Sequence, residues 1–236
     1  MDDKGREKAL ESTLSDLTKR FGDGTLALDQ VSFQIKESEF VFLIGPSGAG
    51  KTTVMKLLRR EMIPSEGTIL IKDKNLNELE PKDIPALRRN LSMCYQDFKL
   101  LNDRTVAENV GLSLDIAGVA EPEKIDRVKA VLKKVNLDKK GNFFPIQLSG
   151  GELQRVGIAR AIVGKPQVIL ADEPTGNLDP EAAFEILKLF KEINLAHTTV
   201  IIATHNVELV DKFKERVIEL KHGKITRDAK KAKYVA

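Results

Sequence analysis

The sequence predicts an α/β domain built on a mainly parallel sheet. Short apolar runs alternate with longer segments of helical periodicity, which is the order typical of strands joined by helices. Three runs, at 40–44, 168–171 and 199–203, are continuously apolar except for Thr199, as expected for central strands covered on both faces. Between 97 and 144 we find helical stripes and turns but no strand pattern. We therefore expect a helical insertion in the sheet domain.

The individual elements follow from the spacing of apolar residues. Residues 31–35 alternate apolar and polar with a period of two, which predicts a half-exposed strand. Two apolar stripes at helical spacing predict helices, and they comprise Ile125, Val128, Val131, Leu132 and Val135 in the first and Ala183, Ile186, Leu187, Phe190 and Ile193 in the second. The sequence has no internal repeat, no low-complexity linker and no sustained heptad pattern.

Length and composition fit one globular core with a smaller attached unit. The chain has 236 residues, of which 42% are apolar and 31% charged, and this balance excludes a disordered chain. Cys94 is the single cysteine, so an intramolecular disulfide is impossible and a cysteine-based metal site is disfavoured. Residues 1–7 are charged without an apolar signal core after them, and the run 40–44 is far too short to span a bilayer. We expect the chain in a reducing compartment.

The net charge of +3 conceals a basic C-terminus. Residues 221–236 carry six basic side chains and one acid, a charge of +5, which leaves the rest of the chain at −2. Because residues 1–220 carry no net positive charge, the sequence disfavours a protein dedicated to nucleic-acid binding. The tail has two interpretations: it is attracted to an anionic membrane surface or an acidic partner, or it is a solvated, mobile C-terminus.

A glycine-rich loop at 45–52, with the sequence GPSGAGKT, matches the pattern GxxxxGK[ST]. It follows the apolar strand 40–44 and precedes a helix with an apolar face, which is the context of a phosphate-binding loop. Its glycines let backbone N–H groups surround phosphates, Lys51 can reach the β- and γ-phosphates, and the hydroxyl of Thr52 can ligate Mg²⁺. The predicted nucleotide contacts are Gly45, Pro46, Ser47, Gly48, Ala49, Gly50, Lys51, Thr52 and Thr53.

Two consecutive carboxylates, Asp172 and Glu173, follow the apolar run 168–171. Ligand sites of open parallel sheets lie at the carboxyl ends of the strands, where buried carboxylates need cations or donors. We expect Asp172 to help hold Mg²⁺ from its second coordination sphere and Glu173 to act as general base toward the attacking water. The alternative is an ordinary strand-end turn at Asp-Glu-Pro, which the accompanying phosphate loop disfavours.

The segment 148–154, LSGGELQ, leads into another predicted helix. Ser149 and Glu152 have the spacing of a capping box, which explains both residues structurally. Gly150 and Gly151 are not needed for capping and would open the backbone to an anion at the helix N-terminus. Both interpretations can hold together.

These three elements, in this order and spacing, resemble the nucleotide-binding ATPase subunit of ATP-binding cassette (ABC) systems, over about residues 17–223. The resemblance implies a single domain over 1–236, with a P-loop NTPase core and ATP and Mg²⁺ as cofactors. A RecA-like, mainly parallel core with an antiparallel β subdomain would occupy 1–96 and 155–223. A helical subdomain carrying the signature would occupy about 97–154, and 224–236 would be a basic tail.

The resemblance also implies roles for residues outside the loop. Phe21 would stack on adenine, where the family usually has tyrosine. Gln96 would contact Mg²⁺ and the attacking water, and His205 the γ-phosphate. Asp179, in Asn-Leu-Asp at 177–179, would lie in the loop that communicates across a dimer.

In this family the signature binds the γ-phosphate held by a second copy. Ser149, Gly150, Gly151 and Glu152 would therefore complete the partner's site, in an ATP-dependent head-to-tail homodimer. The resemblance implies that an isolated monomer hydrolyses ATP poorly.

A finer resemblance rests on two runs, YQDFKLLNDRTVAENV at 95–110 and LADEPTGNLD at 170–179. Together they are similar to the cell-division branch of the family. That branch implies a polytopic membrane partner, an FtsX-like permease, at the cytoplasmic face of the bacterial cell membrane, and control of cell-wall hydrolysis. The second run is shared with lipoprotein-releasing and macrolide-exporter ATPases, so a subunit of such a transporter is the alternative. Leu153 and the segment 92–94 depart from the commoner pattern.

A third possibility is a soluble ABC ATPase that acts on DNA or ribosomes. Those members carry long coiled coils or two cassettes, whereas this chain has one cassette and no heptads. We expect no nucleic-acid partner.

Overall fold

The computed structural model describes residues 12–72 and 74–230, which form two sheets with helices around them. The smaller sheet is antiparallel and comprises β1 (Ser12–Arg20), β2 (Leu26–Ile35), β4 (Glu66–Ile71) and β5 (Lys74–Asn75). The larger comprises β3 (Phe40–Ile44), β6 (Leu91–Cys94), β7 (Val168–Asp172), β8 (Thr199–Thr204), β9 (Arg216–Lys221) and β10 (Lys224–Ala229).

The larger sheet is parallel except at one edge. Its strand order is β10-β9-β3-β8-β7-β6, and only β10 runs antiparallel to its neighbour. The three runs predicted as central strands are β3, β7 and β8, and their apolar residues are buried, which confirms the prediction. The smaller sheet has the order β2-β1-β4-β5. Its strand β2 includes the half-exposed alternation predicted at 31–35.

Seven helices join the strands of the described residues. They are α1 (Lys51–Leu58), α2 (Ile84–Asn90), α3 (Val106–Ile116), α4 (Glu121–Lys134), α5 (Gly150–Ile162), α6 (Pro180–Leu195) and α7 (Val207–Phe213). Within the described residues, no helix combines the length and the apolar character that crossing a bilayer requires.

The segment between the neighbouring strands β6 and β7 is helical, as expected for 97–144. It contains α3, α4 and α5, and no strand. Helix α5 is continuous from Gly150 to Ile162 and packs against both the helical segment and β6, so it crosses the boundary expected at 154. Because one helix packs against both the helical segment and the sheet, the sequence shows no change of pattern at the boundary between them.

The two predicted apolar stripes differ in outcome. All five stripe residues of α6 are buried in the core, which confirms that helix face. In α4, Val128 and Leu132 are buried, as is Val135 just after the helix, but Ile125 is 43% exposed. Ile125 lines an open groove between α3 and α4, so the stripe reaches beyond the core there.

The expectation of a solvated, mobile tail is wrong for residues 224–229, which form β10. His222 and Gly223 both have positive φ, 49° and 75°, as a two-residue hairpin turn between β9 and β10 requires. The basic charges are partly answered locally, since Lys221 pairs with Glu219 at 2.9 Å and Lys224 with Asp29 at 3.0 Å. Lys231 and Lys233, like the charged N-terminal segment, lie outside the described residues.

Candidate active site

The loop between β3 and α1 has a backbone that two of its glycines make possible. Gly45 has φ 148° and Gly50 φ 106°, both in the region that side chains disfavour. A Cβ on Gly45 would lie 2.1 Å from the carbonyl oxygen of Leu220, and one on Gly50 would lie 2.7 Å from that of Ala27. No side chain caps α1, and no acid lies in its first turn. The positive end of the helix is therefore open to an anion.

The ammonium group of Lys51 lies at the centre of this loop. The residue is only 7% exposed, and its Nζ donates to the carbonyl oxygens of Gly45 at 2.7 Å and Pro46 at 3.2 Å. The same Nζ lies 3.6 Å from Oε1 of Glu173. The loop therefore holds a buried cation beside a carboxylate.

Asp172 ends β7 with one carboxylate oxygen unsatisfied. Its Oδ1 is buried and has no hydrogen-bond partner. Burial raises the pKa of Asp172, and a hydrogen bond with the side chain of Thr52 opposes that shift. A buried oxygen without a donor is costly unless a cation reaches it. Asp172 and the Thr52 hydroxyl thus form an oxygen donor pair of the kind that Mg²⁺ prefers when phosphates supply further ligands.

Glu173 stands on strained backbone and is held from two sides. Its φ is 47°, in the left-handed region, and its N–H donates to the carbonyl oxygen of Ala203 at 2.9 Å. Its Oε2 lies 3.0 Å from Nδ1 of His205, so the carboxylate bridges His205 and Lys51. Strained non-glycine residues are concentrated at functional sites.

His205 follows β8 directly and reaches toward solvent. Its side chain is 66% exposed, whereas that of Glu173 is 15% exposed. Beside it, the hydroxyl of Thr204 accepts from the N–H of Asn206 at 3.0 Å and fixes the turn after the strand. The structure therefore brings Lys51, Glu173 and His205 together near the carboxyl ends of the neighbouring strands β3, β7 and β8.

Gln96 lies two residues beyond β6, at the same carboxyl edge of the sheet as Asp172. A Cβ built on Gly176 would lie 3.2 Å from the Gln96 amide nitrogen, so the Gln96 side chain lies against the turn that follows Glu173. Gly176 was not among the predicted site residues. Its position three residues after Glu173, in a Pro-Thr-Gly turn, is the signal that could have identified it.

The predicted capping box at 149–152 is confirmed. Ser149 accepts from the N–H of Glu152 at 3.4 Å, and Glu152 accepts from the N–H of Ser149 at 3.0 Å. Hydrogen bonds from Lys140 and from the Ser149 backbone hold the pKa of Glu152 below its ordinary value. Capping of α5 is thus sufficient to explain why serine and glutamate stand at positions 149 and 152.

The two glycines of the signature have no such explanation. Added Cβ atoms would meet Leu178 at 3.6 Å from Gly150 and Ala182 at 3.7 Å from Gly151, which are ordinary contacts. Neither glycine has a positive φ. The packing of this chain therefore tolerates alanine at both positions.

The remaining predicted residues lie apart from the Lys51–Glu173–His205 group. The side chain of Asp179 caps α6 by accepting from the N–H of Ala182 at 2.9 Å. Phe21 lies just after β1, 38% exposed, with Nζ of Lys19 5.8 Å from its ring centre. Among the described residues, no hydrogen bond or ion pair joins 149–152 to 45–53.

The family model and the similar proteins that match this chain indicate the same family. The family model described as "ABC transporter" matches residues 28–176. The cell division ATP-binding protein FtsE of Bacillus subtilis is 47% identical over 221 residues, which cover 94% of this chain and 97% of that protein. FtsE of Escherichia coli is 46% identical over 207 residues, covering 88% and 93%.

A solved structure has the same fold. The dimeric structure of the ATP-binding cassette MJ0796, in a post-hydrolysis state bound to ADP and Pi, has a TM-score of 0.85 at 35% identity. The match covers 94% of this chain and 100% of that one. The chain belongs to the ABC transporter family, as one of its ATP-binding, ATP-hydrolysing cassettes.

Proposed function

We propose that the chain is the ATPase subunit of an FtsE-type cell-division complex. Two cassettes close on ATP, and this motion acts on an FtsX-like polytopic permease that regulates cell-wall hydrolysis. The similarity to FtsE proteins over nearly the whole chain supports the division role. The observation that carries the hydrolytic role is the convergence of Lys51 and His205 on the two carboxylate oxygens of Glu173.

The loop at 45–53 receives the phosphates of ATP. The open N-terminus of α1 and the ammonium group of Lys51 both favour an anion at this position. Lys51 exchanges its contacts with the carbonyl oxygens of Gly45 and Pro46 for phosphate oxygens. Phe21, whose ring is partly exposed, offers a stacking face for the adenine.

Thr52, Asp172 and Gln96 would hold a magnesium ion. The unsatisfied Oδ1 of Asp172 supports this assignment, since a nearby cation would offset its burial. When bound, Mg²⁺ neutralises charge on the β- and γ-phosphates. Gln96 is suited to orient a water, because it lies between the end of β6 and the turn after Glu173.

Glu173 acts as general base. Its carboxylate accepts a proton from the attacking water while the water oxygen bonds to the γ-phosphorus, and the bond to the bridging oxygen of ADP breaks. His205 holds Oε2 of Glu173 through Nδ1 and presents the rest of its exposed ring to the γ-phosphate.

The signature completes the site of a second cassette. Gly150 and Gly151 are not required by the packing of this chain, which supports a reason outside it: the approach of a γ-phosphate held by the partner. The related cassette MJ0796 forms dimers. We propose a head-to-tail homodimer with Ser149, Gly150, Gly151 and Glu152 facing the partner's loop, and Asp179 near the contact. The helical unit of about 97–154 would present this signature at the start of α5, which continues into the core.

The complex would lie at the cytoplasmic face of the bacterial membrane, attached through its permease. Attachment through the basic C-terminus is less well supported for 224–229, where Lys224 is paired with Asp29 and β10 is part of the sheet.

The test is to trap the Glu173→Gln variant with ATP in its native membranes, solubilise gently and identify what co-purifies. We expect a polytopic permease of the cell-division type. The Lys51→Ala variant, which cannot form the trapped state, is the matched control for retention. A lipoprotein-release or efflux permease in place of the expected partner would contradict the division role, and recovery of soluble partners alone would contradict the membrane role.

A further inference from the structure

The segment that carries Gln96 has a costly backbone. Phe98 and Lys99 follow Gln96 by two and three residues. Both have backbone in the left-handed region, with φ of 57° and 49°, and neither is glycine. Such conformations persist only where the surroundings hold them. Contacts from elsewhere in the fold must therefore hold Phe98 and Lys99 in this conformation.

Arg160 of α5 holds both strained residues. Its Nη2 donates to the carbonyl oxygen of Phe98 and its Nη1 to that of Lys99, each at 2.6 Å. Burial lowers the pKa of Arg160, and no ion pair within the described residues answers its charge with a carboxylate. A half-buried guanidinium is thus committed to two backbone carbonyls, and its planar fork suits this paired contact.

The same face of α5 also contacts the chain on the N-terminal side of Gln96, at Cys94. The side chain of Gln154 contacts the sulfur of Cys94 at 3.2 Å, and a Cβ on Gly157 would lie 3.8 Å from that sulfur. Gln154, Gly157 and Arg160 recur at every third position, so they lie along one helical face. Cys94 precedes Gln96 by two residues, and Phe98 follows it by two. Gln96 is therefore fixed from both sides by one helix.

That helix is the one that begins at the signature. Arg160 lies ten residues after Gly150, which is about 15 Å along a continuous helix. A displacement of the helix reaches the Gln96 loop through the guanidinium, because the loop has no independent low-energy backbone at Phe98 and Lys99. We infer that Arg160 is a positioning residue for ATP hydrolysis: it makes the signature helix and the Gln96 loop move as one body. This inference rests on the proposed role of Gln96.

The test uses the full chain with Arg160→Lys, which keeps the charge but cannot bridge two carbonyls with a fixed fork. We expect kcat for Mg·ATP to fall about tenfold or more, as small misplacements near reacting groups do. The Kd for a fluorescent ATP analogue should stay within about twofold, because the phosphate loop is untouched. Backbone amides of 97–101 should exchange hydrogen faster while the amides of α5 stay protected. Arg127→Lys, at a partly exposed arginine of α4 that is paired with Glu123, is the matched control and should behave as wild type.

A double-variant comparison separates Arg160 from a general structural role. In the Gln96→Ala background, Arg160→Lys should cause no further loss of kcat, because both changes remove the same positioned group. Equal losses in both backgrounds, or unchanged kcat despite faster exchange at 97–101, would overturn the inference alone. Full activity of Gln96→Ala would overturn the role of Gln96 in the proposed function, and with it the step from Arg160 to hydrolysis.

Lys99→Pro gives a second route that leaves the core contacts of α5 intact. Proline cannot adopt the φ of 49° at this exposed position, so the loop must leave the guanidinium. The variant should reproduce the loss of kcat with unchanged thermal stability of the core. Wild-type turnover of this variant would overturn the inference even if Arg160→Lys failed to fold.

Discussion

At residue 173 the chain places a carboxylate on left-handed backbone between a buried ammonium group and a solvent-facing imidazole. The turn that follows, closed by the Gly176 N–H donating to the Glu173 carbonyl oxygen at 3.1 Å, keeps this geometry. This geometry points the carboxylate to the position that its proposed role as base requires. The local strain thus serves the position of the side chain rather than the stability of the strand.

Replacement of this carboxylate should separate binding from hydrolysis. Glu173→Gln keeps the shape and a hydrogen-bond partner for His205 but removes the base, so phosphate release should fall about 100-fold or more while ATP affinity is retained. Phosphate release and nucleotide titration measure the two effects. Glu181→Gln, an exposed residue in the first turn of α6, is the control. Turnover near the wild-type rate in Glu173→Gln would remove Glu173 from the role of base.

Cys94 gives a prediction on pH dependence. Burial raises the pKa of this thiol to about 12, from an ordinary value of 9.0. At pH 8 roughly one thiol in ten thousand is ionised in the folded chain, against about one in ten in the unfolded chain, and only the thiolate is alkylated. Iodoacetamide should therefore label the unfolded but not the folded protein at pH 8, as read by mass spectrometry.

The same shift affects stability at high pH. Because the folded chain holds the Cys94 proton more tightly than the unfolded chain, the contribution of this thiol to stability is present below pH 9.0 and is lost as the pH rises toward 12. Rapid labelling of the folded chain at pH 8 would contradict the close packing of α5 on β6.

At the scale of the element, α5 combines a self-sufficient cap with glycines that its own packing does not need. The capping box satisfies the first turn through Ser149 and Glu152. The tolerance for a Cβ at Gly150 and Gly151 leaves an open surface at the positive end of the helix. With the proposed role of these glycines, stability and function make opposite demands at the start of this helix.

Gly151→Ala should make the chain more stable and less active. Alanine is favoured over glycine in a helix by about 0.5–1 kcal/mol, which raises Tm by roughly 1–4 °C in a domain of this size. Its methyl group narrows the approach of the partner's γ-phosphate, so ATPase activity should fall about tenfold or more. Gly164→Ala, where a Cβ meets nothing within 4 Å, should leave activity unchanged. Full activity together with a higher Tm would show that the glycine serves no anion.

The sequence predicts those elements whose structure follows from their own residues. It does not predict elements whose structure depends on contacts with residues far away in the chain. The apolar runs of β3, β7 and β8 and the loop at 45–52 carry their structure in their own sequence, because burial and glycine spacing are local properties. Strand β10 escaped prediction, since its residues are mostly polar and it depends on a turn at His222–Gly223 and on pairing with β9. The left-handed backbone at Phe98 and Lys99 depends on Arg160, more than sixty residues away in sequence, and no local pattern indicates it.

At the scale of the whole molecule, the phosphate loop and the signature are separate parts of one cassette. The phosphate loop, Asp172, Glu173 and His205 meet at one sheet edge, whereas the signature is joined to 45–53 by no hydrogen bond or ion pair of the described residues. A second copy could bring its signature to this edge. We therefore propose that hydrolysis belongs to a closed dimer and not to the single chain.

Sedimentation velocity of the Glu173→Gln variant, with and without Mg·ATP, tests this claim most directly. We predict a monomer without nucleotide and a dimer with Mg·ATP, and we predict that adding Gly151→Asp abolishes the dimer, because its carboxylate repels the γ-phosphate. A variant that binds ATP and yet remains monomeric, or a dimer that forms equally well without nucleotide, would contradict the account.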